Sequence, residues 1–115
     1  ISDDARKMAK EYITSKYSDK YYENRYFKTK ASAQDAHEAI RPSNILNSLG
    51  VYDTLTKDEQ KLYTLILNRF LASQMATAIY DTTRVKIEVD NYIFIANGSV
   101  IKFDGFMKLY TEGKD

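Results

Sequence analysis

The apolar residues of this chain change their period once, from that of a helix to that of a strand, and a chain built this way has to fold as a mixed structure. Leu62, Tyr63, Ile66, Leu67, Phe70 and Leu71 recur at the spacing of one broad helix face. Just before them Thr56 and Glu59 stand in capping-box relation, which predicts the longest helix over roughly Lys57 to Ile79. From Thr82 the period becomes two, with Val85, Ile87 and Val89 alternating with Arg84, Lys86 and Glu88. Asp90-Asn91 supplies turn chemistry before Ile93 and Ile95, so this stretch reads as an antiparallel hairpin. Asn97-Gly98 predicts a second turn leading into Val100, Ile101 and Phe103. The expected fold class is α+β.

A further helix is expected at the start. Ser2 is a good N-cap, Asp3 and Asp4 suit the positive end of a helix, and Ala5, Met8, Ala9, Tyr12 and Ile13 recur at amphipathic spacing. After Pro42 a short helix is predicted, capped by Ser43 or Asn44 and terminated by Gly50. Between these, Lys16 to Lys30 interleave Tyr17, Tyr21, Tyr22, Tyr26 and Phe27 with Lys20, Arg25, Lys28 and Lys30. Two readings stand open for that stretch: a stacking and phosphate-binding strip for single-stranded nucleic acid, or an irregular segment packed on a helical core with its basic heads snorkelling to solvent.

At 115 residues the chain makes one modest domain or part of a larger one. Its 17 Lys and Arg against 16 Asp and Glu leave no global basic field, so any contact to nucleic acid has to be local. Without cysteine there are no disulfides and no thiolate zinc sites. No stretch is apolar enough to span a membrane and no signal peptide is visible, so a cytoplasmic location is expected.

The run Ala33-Gln34-Asp35-Ala36-His37-Glu38-Ala39-Ile40-Arg41-Pro42-Ser43 contains the chain's single histidine and single proline. An imidazole titrates near neutrality and can donate to a phosphate or carry a proton. An arginine fork grips phosphate or carboxylate oxygens. Pro42 biases Arg41 toward extended backbone, so a short helical turn through Asp35 to Ile40 is expected to end there. Taken purely as pattern, the same residues more often form a solvated or structurally bonded cluster.

This run resembles, almost letter for letter, a signature of the type IA DNA topoisomerases, enzymes that cut one DNA strand through a phosphotyrosine. Two further stretches match that family in order: Leu62-Tyr63-Thr64-Leu65-Ile66-Leu67-Asn68-Arg69-Phe70-Leu71-Ala72-Ser73-Gln74-Met75, and Phe103-Asp104-Gly105-Phe106-Met107-Lys108-Leu109-Tyr110. The likeness therefore spans essentially the whole chain. Glu38 and Arg41 beside the histidine look like the bacterial topoisomerase I branch; reverse gyrase contains a related module.

The resemblance implies a parent enzyme that relaxes negatively supercoiled DNA by single-strand cleavage, strand passage and resealing, with single-stranded DNA as the main partner. It implies residues 1–79 as the helical part of the tyrosine-bearing, winged-helix-like domain and 80–115 as antiparallel strands of a β arch. The nucleophile motif Tyr-x-Arg-Thr-Asp-Ser would precede Ile1, and Mg²⁺ would be held by acidic residues of another domain, so the chain by itself is expected to be inactive. His37 corresponds to an auxiliary catalytic histidine that bonds or handles a proton at the scissile phosphate. DNA contacts are expected from His37, Gln34 and Arg41, with Arg41 open to a second role as a bridge to Asp35 or Glu38. Arg69 is a further candidate for DNA, against a salt-bridged or solvent-facing role. The exposed strands are expected to let copies pair. The alternative is a non-catalytic DNA-binding module of winged-helix type.

Overall fold

In the computed structural model, residues 1–28, 37–46 and 48–111 are described, with only the backbone described for 48 and 49. Helix α1, Asp3–Lys16, starts as expected: the Ser2 side chain accepts from the Ala5 N–H, and Asp3 and Asp4 occupy the first turn. Ala5, Ala9 and Ile13, one turn apart, form its buried stripe. A short 3-10 turn follows at Asp19–Tyr21.

The helix after Pro42 is α2, Ser48–Tyr52. Neither expected boundary holds. Gly50 lies inside α2, which ends where Thr54 and Leu55 N–H groups turn back onto the Val51 and Tyr52 carbonyls. Asn44 caps no helix; its side chain accepts from the Leu46 N–H in a local turn.

Helix α3, Lys57–Ser73, opens with both arms of the capping box: Glu59 N–H donates to Thr56 Oγ1 at 3.3 Å and Thr56 N–H to Glu59 Oε1 at 3.0 Å. It stops well short of Ile79, because the backbone after Ser73 is claimed by a distant segment. The Ala76 N–H donates to the Tyr21 carbonyl at 2.8 Å, the Glu23 N–H to the Gln74 carbonyl at 3.3 Å, and Tyr22 and Met75 form an antiparallel bridge. Those tertiary bonds replace the ones that further helical turns would make.

Strands β1, Ile79–Val89, and β2, Tyr92–Phe103, form one antiparallel hairpin turning at Asp90-Asn91, where Asp90 adopts φ 53°. β1 begins earlier than Thr82. The second turn at Asn97-Gly98 is absent: Asn97 pairs with Arg84 and Gly98 with Thr83, inside a ladder that runs to Ile79 and Phe103. The partner strand extends far enough to satisfy these groups, so Gly98 serves as a strand residue with open space around its Cα. Both faces of the hairpin are exposed from Ile79 to Lys102.

The core lies elsewhere. Ala5, Ala9 and Ile13 of α1 meet Phe70, Leu71 and Met75 from the end of α3, with Ile45 inserted from the segment after Pro42. Tyr17, Tyr21, Tyr22, Phe106 and Leu109 pack around this cluster. The last element is a 3-10 turn, Gly105–Lys108, tied in by the Phe106 N–H on the Ala76 carbonyl at 2.9 Å. The fold class is α+β, as read from the sequence. No helix among the described residues is long and apolar enough to cross a membrane.

Candidate functional site

His37 lies on an irregular stretch that runs from residue 37 to Pro42 beside the start of α1. Gln34 and Asp35 lie outside the described residues, and so do the first two positions of the helical turn expected over Asp35 to Ile40. The rest of it is not helical. The reason is that Glu38 bonds a remote part of the chain: the Ser2 N–H donates to Glu38 Oε1 at 2.8 Å, across 36 positions of sequence.

Arg41 completes this knot. Its Nε donates to Glu38 Oε1 at 2.6 Å, one terminal nitrogen donates to Glu38 Oε2 and to Ser2 Oγ at 3.3 Å each, and the other donates to the Pro42 carbonyl at 3.2 Å. Of the two roles open for Arg41, the bridge to Glu38 is present. The Arg41 guanidinium, with help from the Ser2 N–H, holds the Glu38 carboxyl down at about 2, and Glu38 in turn raises Arg41.

The His37 segment walls a cleft of ≈ 780 Å³ that also takes in Arg6, Arg25, Tyr26, Arg69 and Gln74. Arg6 comes from α1, Arg25 and Tyr26 from the chain after the first 3-10 turn, and Arg69 and Gln74 from the end of α3. In a chain of nearly balanced charge, cations are thus concentrated locally. Two of them already hold acids: Arg6 pairs with Asp3 on the same wall at 3.4 Å and Arg25 with Glu23 at 3.2 Å. Arg6 stands 5.1 Å over the Tyr26 ring and Arg69 5.1 Å over the Tyr110 ring, and Arg69 makes no ion pair among the described residues. Such a lining can take a phosphate and stack a base.

The tyrosine-rich stretch divides between its two readings. Tyr17, Tyr21 and Tyr22 pack on the core, with Lys16 over Tyr17 and Lys20 and Lys108 over Tyr21 at 5.2 to 5.8 Å. These are the snorkelling lysines. Tyr26 and Phe27 are 80% and 63% exposed and line the cleft, so any stacking strip reduces to these two. Lys30 lies outside the described residues.

Three tyrosines are held toward the neutral form. The Tyr21 hydroxyl donates to Asp104 at 2.6 Å, which raises its pKa, and burial raises those of Tyr17 and Tyr63. A phenol held in its neutral form is a poor nucleophile.

Two cleft residues escaped the sequence reading. Arg6 carries no motif signal in the sequence. Gln74 sat in an apolar run assigned to helix; it is 1% exposed, its amide donates to Ser73 Oγ at 3.2 Å, and its Oε1 has no partner among the described residues. The only available signal was a polar residue between Leu71 and Met75.

A second hollow of ≈ 960 Å³, lined among others by Lys57, Lys61, Asn68 and Tyr110, contains none of the expected site residues. Among the described residues no group of three His, Cys, Asp or Glu side chains is arranged to hold a metal.

A family model described as DNA topoisomerase matches residues 1–115. Among solved structures, full-length topoisomerase I from Thermotoga maritima is similar at 34% identity and a TM-score of 0.77, over 95% of this chain and 17% of that one. The chain thus spans about a sixth of the length of that relative.

Proposed function

Since the chain belongs to the type IA DNA topoisomerases, bacterial topoisomerase I branch, we propose that it is a segment of a longer enzyme that relaxes negatively supercoiled DNA through transient single-strand cleavage. In this reading the cleft beside His37 receives one stretch of single-stranded DNA. Arg6, Arg25 and Arg69 meet phosphate, Tyr26 and Phe27 meet bases, and His37 donates to or exchanges a proton with the scissile phosphate and the leaving oxygen. Gln34 is proposed as a second contact in the same motif.

The nucleophilic tyrosine and the acidic ligands for Mg²⁺ are assigned to other parts of the enzyme. Residues 1–79 are taken as the helical part of the tyrosine-bearing domain and 80–115 as part of the arch. A cytoplasmic location follows from the same reading. What supports it is one juxtaposition: the motif histidine shares a cleft with arginines and exposed aromatics drawn from three separate segments.

The test is His37→Ala in the full-length protein. Losing one charge-assisted bond in the transition state costs about 2 to 4 kcal/mol, so cleavage and relaxation should fall steeply while DNA affinity changes little. Relaxation equal to wild type across pH 6 to 9 would show His37 to be structural. In parallel, the 115-residue chain with labelled single-stranded oligonucleotide and Mg²⁺ should form no covalent adduct. An adduct on any of its tyrosines overturns the assignment of the nucleophile elsewhere.

A further inference from the structure

The motif's glutamate and arginine are spent on each other and on the start of α1. A guanidinium offers five N–H donors, and four hydrogen bonds from Arg41 are already made: two to Glu38, one to Ser2 Oγ and one to the Pro42 carbonyl. Arg41 is 21% and Glu38 34% exposed, so the pair is neither buried in the core nor free on the surface. Glu38 accepts from both Arg41 and the Ser2 backbone, and so ties together points 36 and 39 positions apart. His37 is its immediate neighbour, with a Cα about 3.8 Å away. Whatever holds Glu38 also limits where the imidazole can stand.

We propose that Glu38 and Arg41 are a positioning pair that holds His37 at a set distance from the N-terminus of α1, and that Arg41 does not grip DNA phosphate. This rests on the reading of His37 given above. The carboxylate is the central piece. It satisfies a helix-start N–H that would otherwise need water, and it presents two oxygens to a planar fork, which fixes direction as well as distance. A lysine lacks the planar fork that meets both carboxylate oxygens in a fixed direction.

The two roles for Arg41 separate in the full-length protein. If Arg41 positions His37, Arg41→Ala and Glu38→Gln should each slow single-turnover cleavage about tenfold or more, leave DNA affinity within about twofold, and leave the salt dependence of binding unchanged. Arg41→Lys should fail to restore the rate. If Arg41 instead grips phosphate, Arg41→Ala should weaken binding and lower the salt slope by about 1, Arg41→Lys should restore most of it, and Glu38→Gln should tighten binding by freeing the guanidinium. That second pattern overturns the proposal.

Hydrogen exchange measured on the same variants over the peptides carrying Ser2 and His37 keeps this result distinct from the one for His37 itself. Glu38→Gln should speed exchange there and leave α3 unchanged; unaltered exchange at Ser2 overturns the pair as a structural tie. Should His37→Ala cleave like wild type while Ser2 exchange rises in Glu38→Gln, the tie exists but positions nothing catalytic, and the proposal falls together with the role of His37.

Discussion

At the scale of single residues, chemistry here is set by what each side chain has left to offer. Tyr21 spends its hydroxyl on Asp104, Arg41 spends its fork on Glu38 and Ser2, and Gln74 keeps an acceptor oxygen unpartnered at the cleft wall among the described residues. The tie at Glu38 has a definite pH dependence. Its carboxyl titrates at about 2 against an ordinary 4.5 because the ionised form is bonded in the folded chain. A lowered folded pKa means that the contribution is complete above about 4.5 and is lost as pH falls from there through about 2. Exchange at Ser2 and His37 should therefore accelerate between those limits in the wild-type chain and show no such step in Glu38→Gln. A step that persists in the variant would assign the titration to another acid. Because the pair is partly open to solvent, added salt should shrink the effect.

At the scale of elements, two boundaries carry identifiable energy. The start of α3 depends on a reciprocal pair of side-chain to backbone bonds between Thr56 and Glu59. Thr56→Ala removes one of them outright and should cost about 1 kcal/mol in thermal or urea unfolding, with Glu59→Ala a little less. Ionised Glu59 is favoured by these bonds, so the cap belongs to neutral rather than acid pH. At the other end, Gly105 opens the last 3-10 turn with φ +53°, and an added Cβ would stand 2.7 Å from the Thr77 carbonyl carbon. Left-handed backbone and a backbone clash act together there. Gly105→Ala should cost about 2 kcal/mol or more and loosen the Phe106 bond to Ala76, since neither obstacle is the end of a flexible side chain. Little or no loss of stability in that variant would mean the turn can swing away from Thr77 freely.

For the whole molecule, the imbalance is between a small helical core and a long uncovered hairpin. The chain extends 65 Å along its longest axis, and Val85, Ile87, Val89, Ile93, Phe94, Ile95, Val100 and Ile101 are all exposed. A two-stranded ribbon standing alone is marginal in water, and open apolar strands recruit other strands. In the isolated chain, amides from Val85 to Ile95 should exchange faster than those of α3, and protection there should rise with protein concentration as copies pair. Strong protection independent of concentration would mean that the ribbon is secure on its own.

How much of this was legible in the sequence depends on how local each cause is. Helix α1 with its Ser2 cap, the capping box of α3, the switch to a two-residue period and the turn at Asp90-Asn91 are written in residues a few positions apart, and they were read correctly. So was the family, because its motif is a continuous string. The early end of α3 was hidden, since the bonds that terminate it come from Tyr21 and Glu23. Asn97-Gly98 reads as a turn by itself; the length of β1 makes it strand. Gln74 and Arg6 became part of the cleft only when α1 and the end of α3 met around Ile13 and Leu71. The sequence alone determined α1, α3, the hairpin and the family, through short-range propensity and side-chain period. Only the tertiary structure decided where those elements stop and what Arg41 holds, because backbone and guanidinium donors bond whichever acceptor the fold brings within about 3 Å.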